Sequence, residues 1–154
     1  MIRLAEYDDL ETISLLMLDL FHVKMSGAYT KEGRVSFLKQ IETDALAQRF
    51  LQESLFYIYE IDGYIEGVIE LEKSSHIAFL FSRVEKKGIA RALCQEALNH
   101  CGVEVCTVGA FSEAIGFYKH LGFVILAEAK IAHGIEFTLM ASKTNSITRS
   151  NLDH

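Results

Sequence analysis

The segment Val84-Glu-Lys-Lys-Gly-Ile-Ala-Arg-Ala-Leu93 follows the apolar run His76-Ile-Ala-Phe-Leu-Phe81 and reads as a strand feeding a helix start that can hold an anion. Small residues at Gly88 and Ala90 let the main chain approach a ligand closely. The first-turn amides of the helix are unpaired donors at the positive end of its dipole. Lys86, Lys87 and Arg91, with Arg83 just upstream, place local positive charge on a chain whose formal net charge is -6. Neither the spacing of a dinucleotide fingerprint nor the Gly-Lys-Ser/Thr of a P-loop is present, so a different pyrophosphate ligand is indicated. A second group of residues is acidic. Strand alternation along Tyr64 to Glu72 puts Glu66, Val68, Glu70 and Glu72 on one face and Ile65, Gly67, Ile69 and Leu71 on the other. Carboxylates arranged in this way could draw in an ammonium and, where desolvated, take its proton.

The elements that must position these groups follow from periodicity. A short strand at Ile2 to Leu4 leads to Asp8, which with Glu11 makes a helix-start pair; Leu10, Ile13, Leu16, Met17 and Leu20 then recur at helical spacing, predicting a helix over about 8–23. A second helical region, continuous or broken, covers about 31–52. Aromatic and β-branched residues take over at 54–61, turn at Asp62-Gly63, and continue over 64–72, a strong hairpin signal. A third strand, 75–82, feeds the anion turn. The helix after it carries Ile89, Leu93 and Ala97 on one stripe beside Ala90, Cys94, Leu98 and Cys101. A strand at 103–109, a helix from about Ser112 to Leu121 stopped by Gly122, and strands at 123–130 and 134–140 complete the order βααβββαβαββ.

Composition bounds what this arrangement can do. A chain of 154 residues, half of them apolar and 23% charged, has the size and make-up of one globular domain. Residues 1–141 read as that domain and 142–154 as a polar tail. A pI near 5.5 argues against a nucleic-acid or anionic-membrane partner and permits a cationic substrate. The N-terminus is charged too early for a signal peptide, and no apolar run approaches the ~20 residues of a membrane span, so a cytoplasmic location is expected. Cys94, Cys101 and Cys106 are odd in number and lack metal-ligand spacing, which makes them buried hydrophobes in a reducing compartment, with no metal expected.

The element order, the anion turn after the fourth strand and Ala114-Ile-Gly-Phe-Tyr-Lys-His-Leu-Gly-Phe123 together resemble the GCN5-related N-acetyltransferase (GNAT) superfamily over residues 2–141. The strands Gly67 to Leu71 and His76 to Phe81, with the helix end Phe117 to Phe123, are similar to those of its uncharacterised microbial acetyltransferases. The resemblance implies an α/β (α+β) GNAT fold with a mixed, splayed central sheet and flanking helices. It implies acetyl-CoA as co-substrate, with the pyrophosphate on the turn formed by Lys86, Lys87, Gly88, Ile89, Ala90 and Arg91 and the pantetheine arm along Leu80, Phe81 and Ser82. A main-chain amide near Leu80 would then stabilise the developing oxyanion. Tyr118 is the implied general acid at the departing thiolate. For the base, Glu70, level with the reaction centre, is the first candidate and His76 the second. His22 and Tyr29 lie in the segment that walls the acceptor site in this superfamily. The partner is then a small-molecule or peptide amine, and dimerisation, common in the superfamily, leaves a homodimer open. Glu85 stands where the family usually carries Gln or Arg in its phosphate loop. The alternative reading is therefore a non-catalytic CoA-binding or protein-interaction module on the same fold.

Overall fold

The computed structural model of the chain describes residues 1–25, 29–73, 75–83 and 88–143. Helical periodicity in the first third produces α1 (Leu10–Leu20), α2 (Lys31–Gln40) and α3 (Thr43–Leu51) after a short first strand, β1 (Ile2–Leu4). The helix start differs from the Asp8/Glu11 pair expected. Glu6 and Asp9 form the reciprocal capping box around a 3₁₀ turn at Tyr7–Asp9, because Asp9 is also held by Arg3 at 2.8 and 3.2 Å. The predicted second helix divides at Ile41 and Glu42. Ile41 is buried, and its carbonyl accepts from the Ser14 hydroxyl at 2.6 Å, so the chain docks on α1 between two helices.

The hairpin forms as its sequence dictates. Strands β2 (Leu55–Ile61) and β3 (Tyr64–Leu71) meet at Asp62 and Gly63, both with positive φ (52° and 82°), the geometry that an Asp-Gly turn supplies. Strand β4 (His76–Ser82) pairs antiparallel with β3 and is followed by α4 (Ile89–Cys101). The next strand, β5, is Thr107–Ala110, shorter and later than the predicted 103–109. The chain leaving α4 spends Gly102 to Val105 on a turn in which the Glu104 amide donates to the Cys101 carbonyl. Then come α5 (Ile115–His120), β6 (Phe123–Ile125), β7 (Lys130–Ala132) and β8 (Ile135–Ser142). The predicted strand 123–130 is thus two short strands, both paired with β8, and β8 itself continues through Ser142, whose amide donates to the Cys106 carbonyl.

The sheet order is β1-β2-β3-β4-β5-β8-β6, mixed, with β4 and β5 its parallel pair. Helices cover both faces. One apolar cluster, including Ile13, Met17, Phe37, Leu46, Phe56, Ile58 and Val68, lies under α1, α2 and α3. The other, including Ile69, Ile77, Ile89, Leu93, Val108 and Met140, lies under α4 and α5. The acidic face of β3 predicted from alternation therefore has a roof: Val68 and Glu70 both face the first three helices and both are fully buried. Cys94, Cys101 and Cys106 are free thiols buried with the second cluster, where burial pushes the Cys94 thiol up to about 12.

Candidate active site

The site begins with one irregularity in β4. Glu70 pairs with Phe79 but Leu71 pairs with Ile77, so Ala78 is an extra residue, and a bulge of this kind bends the strand that carries it. The parallel pairing with β5 consists of His76 with Thr107 and Ile77 with Val108, and it ends where the bulge begins. From Ala78 to Phe81 the edge of β4 that faces β5 therefore has no strand partner. The Arg83 amide donates to the Glu66 carbonyl on β3. Strand alternation then turns the amides and carbonyls of Leu80 and Ser82 the other way, into the opening. The opening is a cleft of about 980 Å³ that runs through the sheet from the α4/α5 side to the α2/α3 side.

On the α4/α5 side the cleft is walled by Ala90, Ala114, Phe117 and Tyr118. Gly88 caps α4 in the left-handed region (φ 71°), exposed and without a side-chain cap, so the amides of the first turn are available to an anion. Ile89 is wholly buried and contributes its amide alone, while the Arg91 side chain is exposed. The close seat of α4 depends on Gly67: a β-carbon there would stand 2.6 Å from Cγ2 of Ile89 and 3.0 Å from Cδ1 of Leu93. Tyr118 is 5% exposed and packs edge-on against Phe117 and Phe123. Burial first, then the neighbouring Cys94 and Cys106 thiols, hold its phenol far above the ordinary range, so it keeps its proton at neutral pH.

On the α2/α3 side the walls are aromatic, with Phe37, Phe79, Phe111 and Phe137, and the polar groups are Gln40, Arg49, Glu72 and His76. His76 is half-buried, and its Nδ1 lies 2.8 Å from the Thr107 hydroxyl. The β7–β8 turn, with His133, overhangs this side and is fastened to the start of α2. Thr30 donates its hydroxyl to the Gly134 carbonyl at 3.0 Å and accepts from the Gly33 amide at 3.0 Å. A β-carbon at Gly33 would meet the Gly134 carbonyl oxygen at 2.5 Å, so only glycine fits this contact.

The cleft brings together Leu80, Phe81, Ser82, Ala90, Tyr118 and His76 from the sequence reading. Lys86 and Lys87, with Glu85, lie outside the described residues. Arg83 turns away from the anion turn to Asp19 at 2.9 Å and Glu66 at 3.5 Å. Glu70, expected as base, is placed differently. It is fully buried, and its two oxygens accept from Arg49 Nε at 2.7 Å and Nη2 at 3.1 Å, so the carboxylate anchors a guanidinium and does not line the cleft. His22 is exposed on a separate groove of about 600 Å³ beside α1. Tyr29 lies behind the cleft wall, packed on Phe21, Phe37 and Phe111. Arg49 is the main residue that sequence reasoning missed; the signal was Glu70 itself, since a carboxylate on a roofed strand face demands a cation from the roof. Among the described residues no group of three or more His, Cys, Asp and Glu could hold a metal ion.

A through-sheet cleft, an unpaired strand edge and a glycine-capped helix start suit an extended, amide-rich thioester carrier with a diphosphate. The sequence itself agrees: a family model described as an acetyltransferase (GNAT) domain matches residues 25–144. The chain belongs to the GNAT acetyltransferases. Solved GNAT structures share its fold over nearly their whole length. A GCN5-related N-acetyltransferase from Rhodopseudomonas palustris superposes with a TM-score of 0.77 at 18% identity, covering 93% of this chain and 94% of that one. The PaiA N-acetyltransferase of Thermoplasma acidophilum, solved in complex with coenzyme A, gives a TM-score of 0.76 at 22% identity, covering 93% and 98%. A ribosomal-protein-alanine N-acetyltransferase from Brucella melitensis gives 0.65 at 16%, covering 94% and 99%. A search of curated proteins found no match. As a GNAT acetyltransferase the chain is an acyl-transferring enzyme. Among its described residues no helix is long and apolar enough to cross a membrane.

Proposed function

We propose that this GNAT enzyme transfers an acetyl group from acetyl-CoA directly to a primary amine of a small molecule or peptide, both substrates being bound at once from opposite sides of the sheet. The observation that carries the reading is the cleft itself, which joins the glycine-capped start of α4 to the polar groups of the α2/α3 side through the gap between β4 and β5.

Each step falls to a group of this chain. The first-turn amides from Ile89 to Arg91 hold the diphosphate, and the unpaired edge of β4 aligns the amide-rich arm as an added strand would. The Leu80 amide, turned into the opening, receives the negative charge that develops on the acetyl oxygen. Glu72 and His76 draw the ammonium to the gap. With Nδ1 engaged by Thr107, His76 takes the amine proton at Nε2, directly or through water. As the amine nitrogen bonds to the acetyl carbon, the carbon–sulfur bond breaks and Tyr118 gives its proton to the leaving sulfur. Glu70 has no proton-transfer role here; it fixes Arg49.

The test is CoA release over a panel of primary amines by parent, Tyr118→Phe and His76→Gln, with acetyl-CoA binding measured by calorimetry. Turnover by the parent, lowered about 100-fold or more in either variant while acetyl-CoA still binds, is the expected result. Acetyl-CoA binding without CoA release from any amine would replace this reading with a non-catalytic CoA-binding module.

A further inference from the structure

Arg49 lines the cleft with part of its hydrogen-bonding capacity unused among the described residues. Its Nε and Nη2 donate to Glu70, and Nη2 also donates to the Gln40 carbonyl at 2.8 Å, whereas Nη1 has no acceptor among the described residues. A guanidinium has five N–H donors, and the two on Nη1 belong to a side chain that lines the cleft and is 23% exposed. The group is held in place from two sides. Glu70, with no exposed surface, grips it from below, and the Phe79 ring lies 5.4 Å beneath its central carbon. Arg49 thus brings a fixed guanidinium with unused donors to the α2/α3 side of the cleft.

Its charge is already balanced by Glu70, so a neutral oxygen acceptor suits it and a second full negative charge is not required. Its position fixes where that oxygen sits. Phe79, over which it stands, precedes Leu80 on β4, about 3.3 Å along the strand from the amide that faces the acetyl oxygen. An oxygen held by Arg49 therefore shares the α2/α3 side of the cleft with the attacking amine. Around it the walls are Phe37, Phe79, Phe111 and Phe137, which take an apolar or aromatic side chain.

Resting on the acetyl-transfer reading above, we propose that Arg49 reads a carbonyl oxygen carried beside the acceptor's amine, so that the acceptor is an α-amino carbonyl compound, a free amino acid or the first residue of a peptide, with an apolar or aromatic side chain. The amine goes to His76 and Glu72, the carbonyl to Arg49 and the side chain to the phenylalanine wall.

The experiment compares kcat/KM for phenylalanine amide, phenylalanine and 2-phenylethylamine, which share the ring and the amine and differ in the carbonyl. The parent is expected to favour at least one of the first two over phenylethylamine by about tenfold or more. The amide and the acid separate a peptide terminus from a free amino acid. Because Arg49 alone cannot be removed without stranding Glu70, the variant is the double Arg49→Met, Glu70→Gln, with thermal unfolding as the folding control. It is expected to lose the preference, the KM of the favoured carbonyl substrate rising about tenfold more than that of phenylethylamine. Equal turnover of all three by the parent, failure to acetylate either carbonyl compound, or a preference that survives in the folded double variant would each overturn the assignment. CoA release over the wider amine panel reports separately on the acetyl-transfer reading, because it does not require a carbonyl on the acceptor.

Discussion

A β-carbon placed on Gly67 would lie 2.6 Å from Cγ2 of Ile89, closer than real atoms approach, and this contact sets how deeply the acyl-carrier helix sits on the sheet. Ile89 is the first residue of α4 and is wholly buried. Gly67→Ala must therefore push the helix start outward or strain β3. We expect it to cost about 1–3 kcal/mol, the usual price of overpacking, which for a chain of this size is roughly 2–4 °C of Tm per kcal/mol. It should also weaken acetyl-CoA binding, because the helix end that moves carries the amides proposed to hold the diphosphate. Calorimetric melting and titration check both; a variant with unchanged Tm would show that α4 accommodates the methyl freely.

The Arg49–Glu70 pair predicts an asymmetry. Removing the guanidinium strands a carboxylate with no exposed surface, while neutralising the carboxylate leaves a guanidinium that can reach the cleft. Arg49→Ala should cost about 3–5 kcal/mol, as expected for an uncompensated buried charge, and Glu70→Gln distinctly less. Urea unfolding of the two variants at neutral pH decides it. Equal losses would mean that the carboxylate finds another partner.

The same pair shows where the sequence was informative and where it was not. Asp62-Gly63 announced its hairpin because positive φ at two consecutive residues is a local property, and Gly88 announced the start of α4 for the same reason. The alternation of β3 correctly put Glu70 beside Val68, but what lies above that face depends on α3 folding over it, a contact 21 residues away in sequence. A reading confined to the strand therefore made Glu70 a base, whereas the roof makes it an anchor. His22 and Tyr29 came from the resemblance and not from a local pattern, and the structure sets His22 on a groove beside α1 and Tyr29 behind the cleft wall. His76 was better placed, since it opens a strand whose direction its neighbours fix.

Tyrosine ionisation gives a pH prediction. Burial raises the phenols of Tyr118 and Tyr29 above their ordinary 10.0, and Glu113 adds to the effect at Tyr29. A group whose folded value is raised holds its proton more tightly in the native state, so its contribution to stability is complete below the unfolded value and is lost as pH rises through and beyond it. Stability should accordingly decline above about pH 10, with phenolate absorbance from these two residues appearing only as the chain unfolds. Tyr118→Phe, Tyr29→Phe should flatten that decline. Phenolate absorbance from all six tyrosines while the far-ultraviolet circular dichroism stays native would contradict it.

Gly88 allows stability and ligand binding to be separated. It sits at φ 71°, exposed, with nothing among the described residues within 4 Å of where a β-carbon would stand, so among them substitution there meets only backbone strain. Alanine in the left-handed region costs about 1–2 kcal/mol, and asparagine, which tolerates that region, less. If the amides after Gly88 hold the diphosphate, relaxing the turn should misdirect them. Acetyl-CoA affinity should then fall in the order Gly, Asn, Ala, by about tenfold at the far end, while Tm follows the same order over a few degrees. Titration calorimetry on the three proteins measures it. Full affinity in a Gly88→Ala protein that has lost the expected stability would move the diphosphate off the start of α4, because the strain would then be present without any consequence for the ligand.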